Sequence, residues 1–165
     1  ALAELLKNAD IRVLRVDGSQ HMALGGEDVE ALIRTPEISM AASDVASCPS
    51  VRRALVALQQ KIAAGCDVVM DGRDIGTRVL PDADYKFFLT ASDKVRAQRR
   101  YDELKAKGES VTLQEVLEDV RRRDEQDTTR AESPLTMADD ATEVETDDLG
   151  IDEVVTVLMA LMGRF

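Results

Sequence analysis

The chain has 165 residues, 44% of them hydrophobic and 3% aromatic, a length and composition typical of about one domain with an aliphatic core. Its 32 acidic and 21 basic side chains give a net charge of −11, which argues against nonspecific nucleic-acid or anionic-membrane binding but permits a local cationic pocket. No window approaches the ~20 apolar residues of a membrane span, and the opening stretch ALAELLKNAD lacks the basic region of a signal peptide.

Beyond the hairpin that opens the chain, the first third is predicted to contain helices. In the hairpin, residues 11–16 (IRVLRV) alternate apolar and basic side chains, as in a half-buried strand. Residues 17–19 have turn chemistry, and QHMAL is the returning strand. A short helix is predicted after Pro36, and a second begins at Pro49 and stops at Gly65. The apolar stripe of this second helix consists of Val51, Leu55, Leu58 and Ile62.

The later two-thirds of the chain alternate strands and helices. Residues 67–71 form a short, nearly all-apolar run, which is typical of a strand buried in a parallel sheet. The segments YKFFLT and VETDD are two further predicted strands. Helices are predicted from Ser92 to about Lys107, from the capping-box pair Thr112 and Glu115 onward, and from residue 151 to residue 162. This order indicates an α/β fold with a parallel sheet.

Two cysteines and one histidine limit the available chemistry. Cys48 and Cys66 are too few and too isolated for a disulfide framework or a CxxC metal site, which predicts a reduced, cytoplasmic protein. His21 has no Ser or Cys partner motif, so we interpret it as a structural or surface residue. We expect the chemistry to rest on Arg, Asp and Ser, with no metal site built from histidines.

The segment DGRD, residues 71–74, is the first candidate site. Ligands of open α/β sheets bind outside the carboxyl ends of the strands, and DGRD follows a predicted strand. Arg73 offers a planar fork suited to phosphate, Gly72 permits close backbone approach, and Asp74 is suited to accept from an exocyclic amine. A surface turn with ordinary Arg–Asp ion pairs explains the same residues equally well.

The helix that begins near Thr112 is the second candidate. Its apolar stripe, Leu113, Val116, Leu117 and Val120, continues into Arg123, Asp124, Asp127 and Arg130. These charges indicate an ion-pair network or a polar cavity, unless they form simple i,i+4 salt bridges such as Arg123–Asp127.

A second basic patch, Arg96, Arg99 and Arg100, lies on the helix before it. A helix–Gly–helix segment with arginines at both ends is typical of a lid that closes over phosphates. A solvated helix face is the alternative interpretation.

Four segments of the sequence together closely resemble bacterial cytidylate kinase. They are IRTPEISMAASDVASCPSVRRAL, VVMDGRDIGTRVLPDADYKFFLTASDKVRAQRR, RRRDEQDTTRAESPLTMADDA and DDLGIDEVV. The resemblance covers essentially residues 1–162 and implies transfer of the γ-phosphoryl of ATP to CMP or dCMP, with Mg²⁺, on a P-loop kinase fold. It implies a CMP-binding subdomain over residues 1–66 and an α/β core over residues 67–165 with a helical lid around residues 97–115. We expect a cytoplasmic monomer that binds neither nucleic acid nor membrane.

The resemblance also implies roles for individual residues. The set expected to read the cytosine ring is Ser43, Arg52 and Asp74. The CMP phosphate is expected to bind Arg73 and Arg130, and the sugar to bind Arg123 and Asp127. The expected catalytic residues are Arg99 and Arg100, which serve ATP and the transferring phosphoryl group from the lid, and Arg130. Such a site is chemically coherent, because phosphoryl transfer depends mainly on positioning and charge neutralisation.

The sequence departs from the family in one respect. The family begins with a strand, a GxxxxGK[ST] loop and a helix, but no Gly-Lys dipeptide occurs here, so the sequence contains no Walker A loop. The chain also starts without Met. We therefore expect the larger C-terminal portion of a cytidylate kinase, lacking the P-loop with most Mg²⁺ ligands through truncation or gene fragmentation, and inactive or nearly so alone. A non-catalytic cytidine-nucleotide-binding module and a structural fragment are the alternatives.

Overall fold

The computed structural model of the chain describes residues 5, 8–35, 38, 41–42, 45, 48–129 and 133–163. The chain forms two compact units, Ala1–Val68 and Val69–Phe165. The subdomains expected over residues 1–66 and 67–165, and their functions, stay predictions. Among the described residues, no helix is long and apolar enough to cross a membrane.

The first unit contains the predicted hairpin. Strands β1 (Ile11–Val16) and β2 (Ser19–Leu24) pair in antiparallel register. Asp17 (φ 48°) and Gly18 (φ 84°) connect them, and positive φ at both central residues is the turn geometry that matches the twist of a hairpin. A short third strand, β3 (Glu27–Asp28), pairs with β2 and extends the hairpin to a three-stranded sheet.

The expected half-burial of β1 is wrong. Val13, Leu14 and Val16 are 43%, 36% and 38% exposed, whereas Ala23 on β2 is buried. Among the described residues β1 pairs only with β2, and this pairing satisfies backbone groups without covering the faces on which the side chains lie. Alternation of apolar and basic side chains therefore does not bury a face here.

Helix α1 (Pro49–Ala63) follows in the first unit and confirms the prediction from Pro49. Proline occupies its first turn, where the missing N–H costs no hydrogen bond. Val51 is buried, and the rest of the predicted stripe, Leu55, Leu58 and Ile62, is half-buried. A single 3₁₀ turn covers Leu32–Arg34. The helix predicted after Pro36 falls largely outside the described residues.

The second unit is the α/β part of the chain. Its strands are β4 (Phe87–Thr90) and β5 (Thr142–Glu145), and its helices are α2 (Asp93–Ala106), α3 (Leu113–Thr129) and α4 (Ile151–Leu161). The two strands are parallel, with Phe87 opposite Thr142, which confirms the predicted parallel pairing. The VETDD strand was predicted slightly too late, since β5 ends at Glu145.

Side-chain caps begin both helices of the α2–α3 hairpin. Ser92 Oγ accepts from the Val95 amide at 3.3 Å. Thr112 and Glu115 form the predicted capping box, with Glu115 Oε2 2.8 Å from the Thr112 amide nitrogen and Thr112 Oγ1 3.3 Å from the Glu115 amide nitrogen. These bonds satisfy amides that the first helical turn leaves without partners.

An apolar core holds α2 against α3. Its buried residues are Ala97, Leu104 and Val116, with Tyr101, Val111, Leu117 and Val120 packed around them. The predicted stripe of α3 therefore faces this core except at Leu113, which is 41% exposed because it is the first residue of the helix.

The strand predicted at residues 67–71 is wrong. This segment has no regular secondary structure, and Val69 is fully exposed. A strand requires a ladder partner for its backbone N–H and C=O groups, and among the described residues β4 and β5 pair only with each other. Apolar composition alone predicted a burial that this segment does not have.

Candidate active site

The DGRD segment leads directly into a tight turn. Asp74 is 6% exposed and precedes a π-helical turn over Ile75–Val79. The Asp74 carbonyl oxygen accepts from the amides of Arg78 (2.9 Å) and Val79 (3.2 Å). Single π turns occur frequently at functional sites, and this one fixes the backbone that carries Asp74.

Local packing favours glycine at position 72. A Cβ atom at this position would lie 3.0 Å from Ile75 Cγ1 and 3.1 Å from Ile75 Cδ1. The space that glycine leaves is therefore filled by the first residue of the π turn. Close approach to a ligand at Gly72 stays a prediction.

Arg73 and Asp127 join the two candidate segments. Arg73 Nε donates to Asp127 Oδ2 at 2.6 Å across 54 positions of sequence. The Arg73 side chain is 53% exposed, whereas that of Asp127 is 21% exposed. The guanidinium of the DGRD segment is thus half-exposed and is oriented by a carboxylate from α3.

Two further ion pairs connect α2 with α3. Both Nη atoms of Arg96 donate to the carboxylate of Asp124, at 2.7 and 2.6 Å, and Arg121 Nε donates to Asp93 at 2.7 Å. The bond to Asp124 raises the pKa of Arg96. The charged continuation of α3 therefore forms pairs with other elements, since Asp124 binds Arg96 and Asp127 binds Arg73.

The two lid arginines have different surroundings. Arg99 donates to Thr146 Oγ1 (3.2 Å), to the Thr146 carbonyl and to the Leu149 carbonyl (3.0 Å), so it fastens α2 to the segment after β5. Arg100 pairs with Glu103 at 2.7 Å on the exposed face of α2. Glu103 also binds Lys107 at 2.6 Å, and these two cations, Lys107 foremost, lower the pKa of Glu103 to about 2.

The structure brings together only part of the predicted site. Arg73 and Asp127 are bonded to each other, Asp74 is the buried sequence neighbour of Arg73, and Arg123 is exposed on α3. Arg52 is half-buried in α1 of the first unit. Ser43 and Arg130 lie outside the described residues.

Sequence reasoning missed Lys86, whose side chain is only 8% exposed. Lys86 Nζ lies 2.5 Å from Asp140 Oδ2, and the bond between them lowers the pKa of Asp140. Lys86 Nζ also donates to the Pro81 carbonyl. A signal was present, because Lys86 is the one charged residue in YKFFLT, and a lysine is almost never buried unless it is paired.

In the described part of the chain, no group of three or more His, Cys, Asp or Glu side chains is placed to hold a metal ion. Of the acidic side chains near DGRD, Asp127 is paired with Arg73.

Comparison with known proteins identifies the family. The family model for cytidylate kinase matches residues 1–164. A cytidylate kinase of Carboxydothermus hydrogenoformans is 48% identical over 99% of this chain and 73% of its own length. A cytidylate kinase of Caldicellulosiruptor bescii is 46% identical over 99% of this chain and 72% of its own length, and one of Bacteroides fragilis is 48% identical over 92% and 68%. The chain therefore belongs to the cytidylate kinase family, whose members are nucleoside monophosphate kinases.

Proposed function

We propose that this chain carries the acceptor side of a reaction that transfers the γ-phosphoryl group of ATP to CMP or dCMP, giving CDP or dCDP. The observation that supports it most is the 2.6 Å bond between Arg73 and Asp127. Both are acceptor-binding positions by resemblance to the family, and they come from segments far apart in sequence.

In this proposal the CMP phosphate is bound by two arginines, Arg73 and Arg130. The bond to Asp127 uses the Nε edge of Arg73, and the guanidinium has further N–H donors for phosphate oxygens. Because Asp127 orients the side chain beforehand, less conformational entropy is lost when an anion binds. The proposed sugar contacts are Asp127 and Arg123.

The proposed base contacts are Asp74, Ser43 and Arg52. A carboxylate only accepts hydrogen bonds, so Asp74 suits the N4 amino group of cytosine. Uracil presents a carbonyl oxygen at that position, which would face the carboxylate lone pairs. Discrimination against UMP then comes from repulsion as well as from attraction to CMP.

The proposed donor-side residues are Arg99 and Arg100. Arg100 can exchange the exposed Glu103 carboxylate for a phosphate at small cost, because exposed ion pairs are worth little. Arg99 must first give up the carbonyl oxygens of Thr146 and Leu149. The segment over residues 97–115 acts as the lid in this proposal.

We further propose that these 165 residues bind CMP or dCMP without transferring a phosphoryl group to it by themselves. The sequence contains no Gly-Lys dipeptide and so no GxxxxGK[ST] loop, the element that cradles donor phosphates in P-loop kinases. Mg²⁺ belongs to the complete reaction together with ATP. We expect the chain to be a cytoplasmic monomer.

Calorimetry with CMP, UMP and AMP tests the binding half of this proposal, and an assay for CDP with ATP and Mg²⁺ tests the catalytic half. We expect CMP to bind more tightly than UMP or AMP, without CDP formation. If the chain binds none of these nucleotides, the alternative that it is a structural fragment is favoured. CDP formation at a rate typical of the family would contradict the proposed inactivity.

A further inference from the structure

We propose that Lys86 is a positioning residue for Arg73 and Asp74, which it holds in place through the π turn Ile75–Val79 without touching the acceptor. The inference rests on the proposed function of these two residues. It adds a determinant of acceptor selectivity that lies outside the DGRD segment.

The first step is the fixed position of Lys86 itself. Its carbonyl oxygen accepts from the Thr142 amide at 2.9 Å, so its backbone is tied to the start of β5. Its side chain is 8% exposed and its ammonium group binds Asp140 Oδ2. An ammonium group removed from water is costly unless it is paired, so these bonds hold the side chain in one place.

The second step is contact between this side chain and the π turn. A Cβ atom at Gly76 would lie 3.3 Å from Lys86 Cδ, 3.6 Å from Lys86 Cγ and 3.7 Å from Ala138 Cβ. The lysine stem therefore fills the space in which a side chain at position 76 would lie. Beyond the turn, the Lys86 ammonium donates to the Pro81 carbonyl, so the lysine contacts the turn itself and the residue that follows Leu80.

The third step leads from the turn to the site. The turn is closed by the bond from the Leu80 amide to the Ile75 carbonyl (2.7 Å) and by the bonds from the Arg78 and Val79 amides to the Asp74 carbonyl. Because Asp74 accepts bonds from inside the turn, a displacement of the turn moves Asp74 and its neighbour Arg73. Lys86 thereby sets the direction in which both side chains leave the backbone.

The first test uses the chain without nucleotide. Lys86→Met removes the ammonium group and keeps an unbranched side chain of similar length. We expect the Arg78, Val79 and Leu80 amides to exchange with solvent about tenfold faster, the effect of losing roughly one net hydrogen bond. Lys107→Met is the matched control, because Lys107 forms a similar 2.6 Å ion pair on the exposed surface. Unchanged exchange in Lys86→Met would overturn the proposal.

The second test measures nucleotide binding and thermal unfolding on the same variants. We expect Lys86→Met to weaken CMP binding about 5- to 10-fold and to narrow the preference for CMP over UMP, since a misplaced contact loses selectivity along with affinity. Lys86→Arg, which keeps the positive charge, is expected to recover part of both. A lowered melting temperature with unchanged CMP affinity and selectivity would mean that Lys86 is only structural.

These outcomes separate the two proposals. If the unaltered chain does not bind CMP, the proposed function fails. The exchange measurement still decides whether Lys86 holds the turn that carries Asp74.

Discussion

Arg73 is the residue on which the proposed acceptor site depends most. It is a half-exposed cation in a chain with net charge −11, and its carboxylate partner orients the guanidinium without burying it. A local anion site is thus compatible with an acidic protein, because the electrostatic potential at the Arg73 guanidinium is set by the charges nearest to it.

We predict that Arg73→Ala raises the dissociation constant for CMP about 10- to 100-fold, because hydrogen bonds to a charged group contribute about 1.5–3 kcal/mol. The dissociation constant of Arg73→Lys should lie between those of the unaltered chain and of Arg73→Ala, since an ammonium group is a point charge without a planar fork. Calorimetry gives both values. Arg12→Ala is the control, because Arg12 forms a 2.7 Å pair with Asp10 on the exposed hairpin. An equal loss in Arg12→Ala would show that general charge, and not this site, binds the anion.

Asp74→Asn tests the base contact separately from the phosphate contact. An amide both donates and accepts, so the variant can donate to the uracil carbonyl that, in the proposal, the Asp74 carboxylate repels. We predict weaker CMP binding and a ratio of CMP to UMP affinity that moves toward one. Competition binding with the two nucleotides measures this ratio. If both affinities fall by the same factor, Asp74 does not read the base.

At the scale of elements, the α2–α3 hairpin is held by a small core and by ion pairs at its surface. We predict that Leu104→Ala lowers the free energy of unfolding by about 2–5 kcal/mol, the range for truncating a buried leucine. Leu113→Ala is the matched control, because Leu113 is 41% exposed while Leu104 is 9% exposed. Urea unfolding measures both variants. Equal losses would mean that the hairpin core is not where the structure places it.

Acid should weaken helix α2 through Glu103. Its pKa in the folded chain is about 2, against an ordinary value of 4.5, because Lys107 and Arg100 bind the charged form. A lowered folded-state pKa gives stability that is present above pH 4.5 and is lost as the pH falls toward 2. We predict that at neutral pH the unaltered chain melts at a higher temperature than Glu103→Gln. The two melting temperatures should converge as the pH falls from 4.5 to 2. The difference should shrink with added salt, because the pairs are exposed. A constant difference across this range would contradict the assignment.

Local rules predicted the helices well and the strands less well. The caps at Ser92 and at Thr112–Glu115 form as predicted because they depend on residues three positions apart. The strand expected at residues 67–71 failed because a strand depends on a distant partner, which apolar composition does not specify. The half-burial predicted for β1 is wrong for a related reason, because alternation of apolar and basic side chains does not reveal what covers a face of the strand.

For the molecule as a whole, some candidate site residues carry their own sequence signal, whereas others, such as Ser43 and Arg52, are expected only from the family resemblance. Arg73 and Asp127 stood out as charges in unexpected places, and the fold brings them together. Lys86 acts in the proposal through Gly76 and Pro81, and no spacing rule connects these three positions. The contacts of Arg99 with Thr146 and Leu149 were also not predictable, because backbone carbonyl acceptors carry no sequence signal.

The pairing of β4 with β5 alone among the described residues has a consequence for handling the isolated chain. An unprotected strand edge is a template for another chain, and apolar side chains beside it favour aggregation. Leu89 on β4 is 52% exposed. We predict that Leu89→Lys slows aggregation of concentrated protein in light scattering, because a lysine at an edge repels a second edge. Leu32→Lys makes the same change at a leucine that is 66% exposed outside any strand, and equal protection by both would assign the effect to the loss of an exposed leucine instead of the β4 edge.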